Sequence, residues 1–325
     1  MPSMPTWTCG RRRARCELDL RPRTSTAKHV QEEAPMDPTP TTVAVLGLGT
    51  MGLPMALNVR NAGIPTVVWN RTPPPAAVLD GLQAVPSAAG AAASAGIVVT
   101  MVADADAVLT IARDHGMLAA LAPGAIWVQM STIGVAGTAG LIELVAAERP
   151  DVVFVDAPVS GSAEPARNGT LTVSASGPVS ARVALEPLFG AVGERTVWVG
   201  EAGAGSRMKL VANTWLALAT EAVASSLSLA HRLGLATSAV LEALDASPLI
   251  SAWQGAKLRR IAADDFSAQF ALSLALKDVR LALDAAGPDS LPTLEALSAQ
   301  WQRAVDEGYG NQDLTAVLAA LDARA

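Results

Sequence analysis

Between residues 42 and 200 short apolar runs alternate with stretches of helical periodicity. The runs predict strands at 43–46, at the apolar residues leading into Asn70, and at 96–102, 126–130, 152–155, 171–175 and 197–200. Helices are predicted at about 53–62, 86–95, 105–112, 135–147 and 180–188. Strands and helices in alternation are the pattern of a parallel sheet with crossover helices. After Gly205 the character changes. Residues 206–233 hold no proline and no interior glycine and are apolar on most sides, which predicts one long buried helix ending at Gly234. Further helical stretches follow at 237–246, 253–263, 272–286, 291–307 and 313–323. The predicted fold is α/β: a doubly wound sheet over 41–202, then an all-helical C-terminal domain over 203–325, joined by the long interdomain helix. Residues 1–40 lack apolar periodicity and read as a disordered basic extension.

The turn after the first strand carries Gly47, Leu48, Gly49, Thr50, Met51 and Gly52, with the glycines in G-x-G-x-x-G spacing. Gly47 permits the tight turn, Gly49 lets backbone approach a pyrophosphate, and Gly52 lets the helix pack close on the strand. The pyrophosphate would lie over the helix N-terminus, where free N–H groups favour an anion. Strand, turn, helix and second strand in sequence make this a Rossmann-type dinucleotide site. The second strand ends in Asn70, Arg71 and Thr72, where an NAD site usually places Asp or Glu for the ribose 2′-hydroxyl. A carboxylate would repel a 2′-phosphate, whereas a guanidinium grips one through paired hydrogen bonds. NADP(H) is the expected cofactor.

Composition narrows the function further. Half of the 325 residues are hydrophobic, enough for a large core. The longest apolar stretches are broken by polar residues, such as Asn213 and Glu221 inside the long helix, so no membrane span is expected. Both cysteines, Cys9 and Cys16, lie in the N-terminal extension, and the three histidines are scattered. A disulfide framework and a metal site are therefore not expected. Residues 1–35 carry seven Lys/Arg against four Asp/Glu, a net +3, while the whole chain is −6. The remaining −9 argues against nucleic acid as a partner. No apolar stretch follows Arg11-Arg12-Arg13, as an export signal would require, so the cytoplasm is the expected compartment. Met36, shortly before the first strand, is an alternative start of translation.

A doubly wound sheet binds ligands at the carboxyl ends of its strands. That rule flags the segment from Met101 and Val102 to Asp104, Ser131 and Thr132, and the segment from Pro158 to Ser162. Ser160 and Ser162 offer hydroxyls and Gly161 an unobstructed N–H, a combination suited to a substrate carboxylate. A plain Ser/Gly turn is the alternative. Lys209 stands out as a proton carrier. It lies early in the long helix among Met208, Leu210 and Val211, with Asn213 at i+4 on the same face. Desolvation and the helix N-terminus both disfavour its charge and bring its pKa toward a useful range. A snorkelling surface lysine is the alternative. Lys277-Asp278, as an isolated dipeptide, reads as a solvated helix face.

Taken in order, the motifs GLGTMGLPMALN with VWNRT, MST, PVSGSAEPARNGTL, GSRMKLVAN and KDVRLAL resemble the β-hydroxyacid dehydrogenase family, nearest its glyoxylate/succinic semialdehyde reductase branch. The resemblance runs from Thr42 nearly to the C-terminus. It implies that Lys209 is catalytic, that Ser160, Gly161 and Asn213 hold the substrate, that Thr132 and Lys277 contact the cofactor, and that Phe270 and Asp278 stand near the site. It also implies dimers or tetramers built on the long helix. Family members commonly have Gly-Gly after the serine; the Gly161-Ser162 of this chain is the form of the reductase branch. Where they have Asn-Asn, this chain has Asn213-Thr214, which leaves substrate choice open. Imine reductases usually replace the lysine, so Lys209 argues against them. The expected activity is NADPH-dependent reduction of a small carboxylate-bearing aldehyde. The alternatives are oxidation of a 3-hydroxyisobutyrate-type acid and a catalytically silent NADP-binding scaffold.

Overall fold

A computed structural model describes residues 41–244 and 247–323; the expectations for residues 1–40 lie outside them. The order of elements begins β1 (Val43–Leu46), α1 (Gly52–Asn61), β2 (Thr66–Trp69), α2 (Ala76–Leu79) and β3 (Gln83–Ala84). It continues with α3 (Ala88–Ala93), β4 (Ile97–Thr100), α4 (Ala105–Ala112), α5 (Met117–Ala120), β5 (Ile126–Gln129), α6 (Gly134–Glu148) and β6 (Val153–Asp156). These six strands pair in parallel in the order β3-β2-β1-β4-β5-β6. Val43 and Val45 pack into the apolar cluster on one face of the sheet, Ala44 and Leu46 into that on the other. Both faces are covered, as an all-parallel sheet requires, which is why its strands read as continuous apolar runs rather than alternating ones. The strand β3 escaped sequence reading because both its residues are exposed at the sheet edge.

The last predicted strands do not extend this sheet. Pro158 has no N–H to continue the ladder after β6. The chain turns there into β7 (Val159–Ser160), followed by α7 (Ala163–Asn168), β8 (Leu171–Ala175), α8 (Arg182–Val192) and β9 (Gly193–Trp198). These strands form a separate three-stranded sheet, β7 antiparallel and β9 parallel to the central β8. A bridge between Asp156 and Ser176 joins it to the larger sheet. The strand predicted at 197–200 begins earlier, at Gly193, because exposed Glu194 and Arg195 hide its start from an apolar pattern.

The helical region opens with α9 (Ala204–Arg232), about 44 Å long at 1.5 Å per residue. Around it stand α10 (Thr237–Leu244), α11 (Ala252–Ala262), α12 (Leu272–Ala286), α13 (Pro292–Asp306) and α14 (Val317–Asp322). Their core joins Leu210 and Leu227 of α9 to Leu272, Val279, Leu294, Trp301 and Val317. Among the described residues α9 is long and apolar enough, by length and composition, to cross a membrane. Here much of that apolarity is spent on α12, α13 and α14. The N-terminal turns of α9 lie against β6, β7 and β8, so a single rigid element connects sheet and helical core. The described residues form one compact unit.

Candidate active site

The strand order changes direction between β1 and β4, which run parallel, and the turns after these two strands meet there. Gly47 adopts φ +102°, and a Cβ on it would lie 2.3 Å from the carbonyl oxygen of Met101. A Cβ on Gly52 would lie 2.0 Å from the carbonyl oxygen of Gly47. Neither position tolerates a side chain. Gly49 is the opposite case: its Cβ would meet nothing within 4 Å. Gly49 and Thr50 are exposed and Met51 half-buried at the start of α1, and no side chain caps that helix. With no side chain over its first turn and open space at Gly49, this helix start fits a pyrophosphate. Leu48 is buried beneath the turn.

Asn70 does a different job from the acidic residue it replaces. Its Oδ1 accepts the N–H of Leu48 at 3.0 Å and its Nδ2 donates to the carbonyl of Thr72 at 2.7 Å. It thus staples the glycine turn to the end of β2. Arg71 and Thr72 are exposed beyond it, and among the described residues the Arg71 guanidinium has no hydrogen-bond or ion-pair partner.

Below the reversal point lies a buried polar network that the sequence did not disclose. Gln129 accepts the N–H of Ser131 at 2.7 Å and donates back to its carbonyl at 2.8 Å. The Ser131 hydroxyl accepts the N–H of Val102 at 2.8 Å, and Trp127 donates to Thr100 Oγ1 at 3.0 Å. The loops holding Met101–Val102 and Ser131–Thr132 are thereby tied together. Lys277 of α12 reaches across to them, its Nζ donating to the Thr132 carbonyl at 2.6 Å. Gly134, at φ +76°, lets α12 approach: a Cβ there would lie 2.7 Å from Leu281.

On the helical side, Lys209, Asn213 and Asp278 are buried together. Asn213 Nδ2 donates to Asp278 Oδ2 at 2.5 Å, and Lys277 Nζ lies 2.8 Å from Asp278 Oδ1. That second contact is an ion pair whose angle makes no hydrogen bond, since Oδ1 accepts none. Lys209 is 9% exposed, which rules out the snorkelling reading, and the 3% exposure of Asp278 rules out a solvated face. Burial pushes the Lys209 pKa from 10.5 down to about 8; the Asp278 carboxylate opposes the shift and the Lys277 charge adds to it. Ser160 ends β7, and Gly161 and Ser162 lead from it into α7, where α9 packs on β7. Gly161 takes φ +132° with Leu171 and Pro165 against the place of a Cβ, and both serines are half-buried, their hydroxyls without a hydrogen-bond partner among the described residues. Phe270 is half-buried against the helical core. Its N–H donates to Asp313 Oδ2 at 3.3 Å, and the Lys257 ammonium grips that buried carboxylate at 2.9 Å. The structure thus joins Lys209, Asn213, Asp278, Lys277 and Thr132 in one group and places Phe270 with the helical core beside it.

Sequence reading also passed over how α9 is mounted. Its N-cap, Gly203, has no side chain to take the N–H groups of the first turn. Ser176 Oγ accepts that of Gly205 at 2.9 Å, and Asp156 Oδ2 accepts that of Ser206 at 2.7 Å. Burial raises the Asp156 pKa, with the hydrogen bonds from Ser206 and Ser176 pulling the other way. A carboxylate closing an otherwise apolar strand, VVFVD, was the available signal.

A glycine turn fitted to a pyrophosphate, in a chain that also buries an amine on α9, points to an NAD(P)-dependent oxidoreductase acting on CH–OH groups. Comparison with known proteins bears this out. Residues 42–200 match the NAD binding domain of 6-phosphogluconate dehydrogenase, and residues 203–321 match the NAD-binding domain of NADP-dependent 3-hydroxyisobutyrate dehydrogenase. The chain is 31% identical to 2-(hydroxymethyl)glutarate dehydrogenase of Eubacterium barkeri, over 85% of this chain and 93% of that protein. It is 30% identical to glyoxylate/succinic semialdehyde reductase 1 of Arabidopsis thaliana, over 86% and 98%. The crystal structure of 3-hydroxyisobutyrate dehydrogenase from Salmonella typhimurium aligns with a TM-score of 0.76 at 27% identity, over 86% of this chain and 99% of that one. The chain belongs to the β-hydroxyacid dehydrogenase family.

A lysine held at about 8 costs stability while it is charged. Its native pKa lies below the unfolded value, so the cost is full below about pH 8 and fades as pH rises toward 10.5. Lys209→Met is therefore expected to stabilise the fold at pH 7 by roughly 1–3 kcal/mol in urea titrations, with the gain shrinking toward pH 10. Equal stability of the two proteins at pH 7 would contradict the buried-charge assignment.

Proposed function

We propose that this enzyme is an NADPH-dependent reductase of small aldehydes bearing a carboxylate, of the glyoxylate or succinic semialdehyde kind. The observation that carries the reading is Lys209, a buried amine with its pKa near 8, flanked by Asn213 and facing the end of the sheet where Ser160 and Ser162 have hydroxyls to spare. A bound nicotinamide supplies the hydride for the carbonyl carbon. The Lys209 ammonium hydrogen-bonds the carbonyl oxygen and gives it a proton as alkoxide charge develops, becoming the neutral amine. Asn213, oriented by Asp278, holds the same oxygen in line. The Ser160 and Ser162 hydroxyls and the Gly161 N–H take the substrate carboxylate. Run backwards, the same groups oxidise a hydroxy acid, the reaction by which the Salmonella relative is named.

Preference for the phosphorylated cofactor is supported by an exposed Arg71 with no partner among the described residues and by an Asn70 whose amide is spent inside the turn. A second copy of the chain is the expected partner. Met208, Val211, Trp215 and Leu218, at three- and four-residue spacing on α9, are exposed, Trp215 by 80%. Apolar stripes of this kind mark association surfaces.

Assays with NADPH against short semialdehydes and hydroxy acids are expected to show turnover, and none with any of them would sink the proposal. Aldehyde reduction should fall above about pH 8, tenfold per unit, while hydroxy-acid oxidation rises to a plateau there. Lys209→Ala should cut kcat by roughly 10²–10⁴-fold with NADPH affinity intact, and Lys209→Arg nearly as much. Arg71→Ala should weaken NADPH by about ten- to a hundred-fold, on the order of 1.5–3 kcal/mol, and leave NADH unchanged. Equal effects on the two cofactors would remove Arg71 as the discriminator. Light scattering should report a dimer or tetramer; a monomer at micromolar concentration would contradict the α9 interface.

A further inference from the structure

We propose that Asp156 is a positioning residue for Lys209, its carboxylate setting the height and rotation of the helix on which the lysine stands. The inference rests on Lys209 as the proton carrier argued above. Asp156 is fully buried at the end of β6 and has no access to a ligand. Its two oxygens hold one residue of α9 at two points, Oδ2 accepting the Ser206 N–H at 2.7 Å and Oδ1 the Ser206 hydroxyl at 2.8 Å. A bidentate grip of this kind resists rotation as well as sliding. Ser176 Oγ donates to the Asp156 carbonyl at 3.0 Å while accepting the Gly205 N–H. Thr138 of α6, its hydroxyl 2.8 Å from Ser206 Oγ, closes the chain.

Gly205 sets the remaining coordinate. A Cβ there would lie 2.4 Å from the Ser174 carbonyl oxygen and 2.8 Å from that of Asp156, so the helix backbone rests directly on the strand ends. Gly205, Lys209 and Asn213 stand at i, i+4 and i+8 on one face, each step a rise of about 6 Å. The height of the amine is thus measured from β6. So is the substrate loop, since Ser160 follows Asp156 by four residues through β7. One buried carboxylate refers both the proton carrier and the carboxylate-binding loop to the same strand end. A displacement of about 1 Å at the reacting groups costs on the order of 10²-fold in rate.

The test compares Asp156→Ala, Asp156→Asn, Gly205→Ala and Lys209→Ala with the aldehyde turned over fastest, under saturating NADPH. Asp156→Ala should lower kcat by roughly 10–100-fold, with NADPH affinity by fluorescence held to within about twofold. Asp156→Asn keeps an oxygen for the Ser206 N–H and turns its amide to the hydroxyl, so it should recover most of the rate, with the alkaline limb near pH 8 unmoved. Gly205→Ala shifts the helix without altering any polar group and should reproduce the loss. Ser206→Ala, which keeps the backbone grip, should show a milder loss and keeps the test decisive if Asp156→Ala does not fold. A folded Asp156→Ala protein with a lower melting temperature but wild-type kcat would show a structural role and overturn the inference. Asp156→Asn as slow as Asp156→Ala would overturn it too, since charge rather than position would then matter. If Lys209→Ala kept its turnover, the proton-carrier reading would fall and this inference with it. Loss in Lys209→Ala beside full activity in Asp156→Ala overturns the inference alone.

Discussion

The seating of α9 on the end of β6 is the constraint on which the rest of the molecule depends. A helix of 29 residues has to begin with free N–H groups, and here its own N-cap is a glycine that satisfies none of them. Asp156 and Ser176, from the bridge that links the two sheets, supply the missing acceptors. The sheet, the Ser160–Ser162 segment and the helical core therefore share one fixed point. A charge buried at a helix N-terminus is favoured by the helix dipole, which offsets part of the desolvation that raises the Asp156 pKa.

Many of the buried polar groups gather along the seam between sheet and helices. Lys209, Asn213, Asp278 and Lys277 lie on one side, Thr132 and the Gln129–Ser131 network on the other, with the Lys277 to Thr132 bond crossing between them. A second buried pair, Lys257 with Asp313, stands behind the seam and takes the N–H groups of Gln269 and Phe270 at the entrance to α12. These pairs do not hold the fold together more cheaply than apolar packing would. What they provide is direction: each carboxylate fixes the backbone or amide that orients a neighbouring functional group.

The nucleotide turn follows a different economy. Gly47 and Gly52 are required by contacts within the protein, whereas Gly49 meets nothing at all. The same motif thus serves folding at two positions and ligand access at the third. Asn70 completes the division by bonding to the turn itself, and among the described residues Arg71 beyond it has no side-chain partner.

Local pattern determined the parallel strands around the nucleotide turn, the long helix and its successors, and singled out Lys209 as the candidate proton carrier. These are matters of period, of glycine spacing and of short-range neighbours, all of which a sequence carries along its length. The separation of β7, β8 and β9 into their own sheet was not legible, because an apolar run does not record which neighbour it pairs with. Nor was the role of Asp156, fifty residues from the serine it holds. Whether Lys209 and Asp278 are buried or solvated was likewise open until α9 and α12 were packed together. Desolvation, which brings the lysine near pH 8, is a property of the surrounding volume and not of the chain. Sequence chose the residues able to carry the chemistry, and tertiary packing decided which of them were removed from water and at what distance they met.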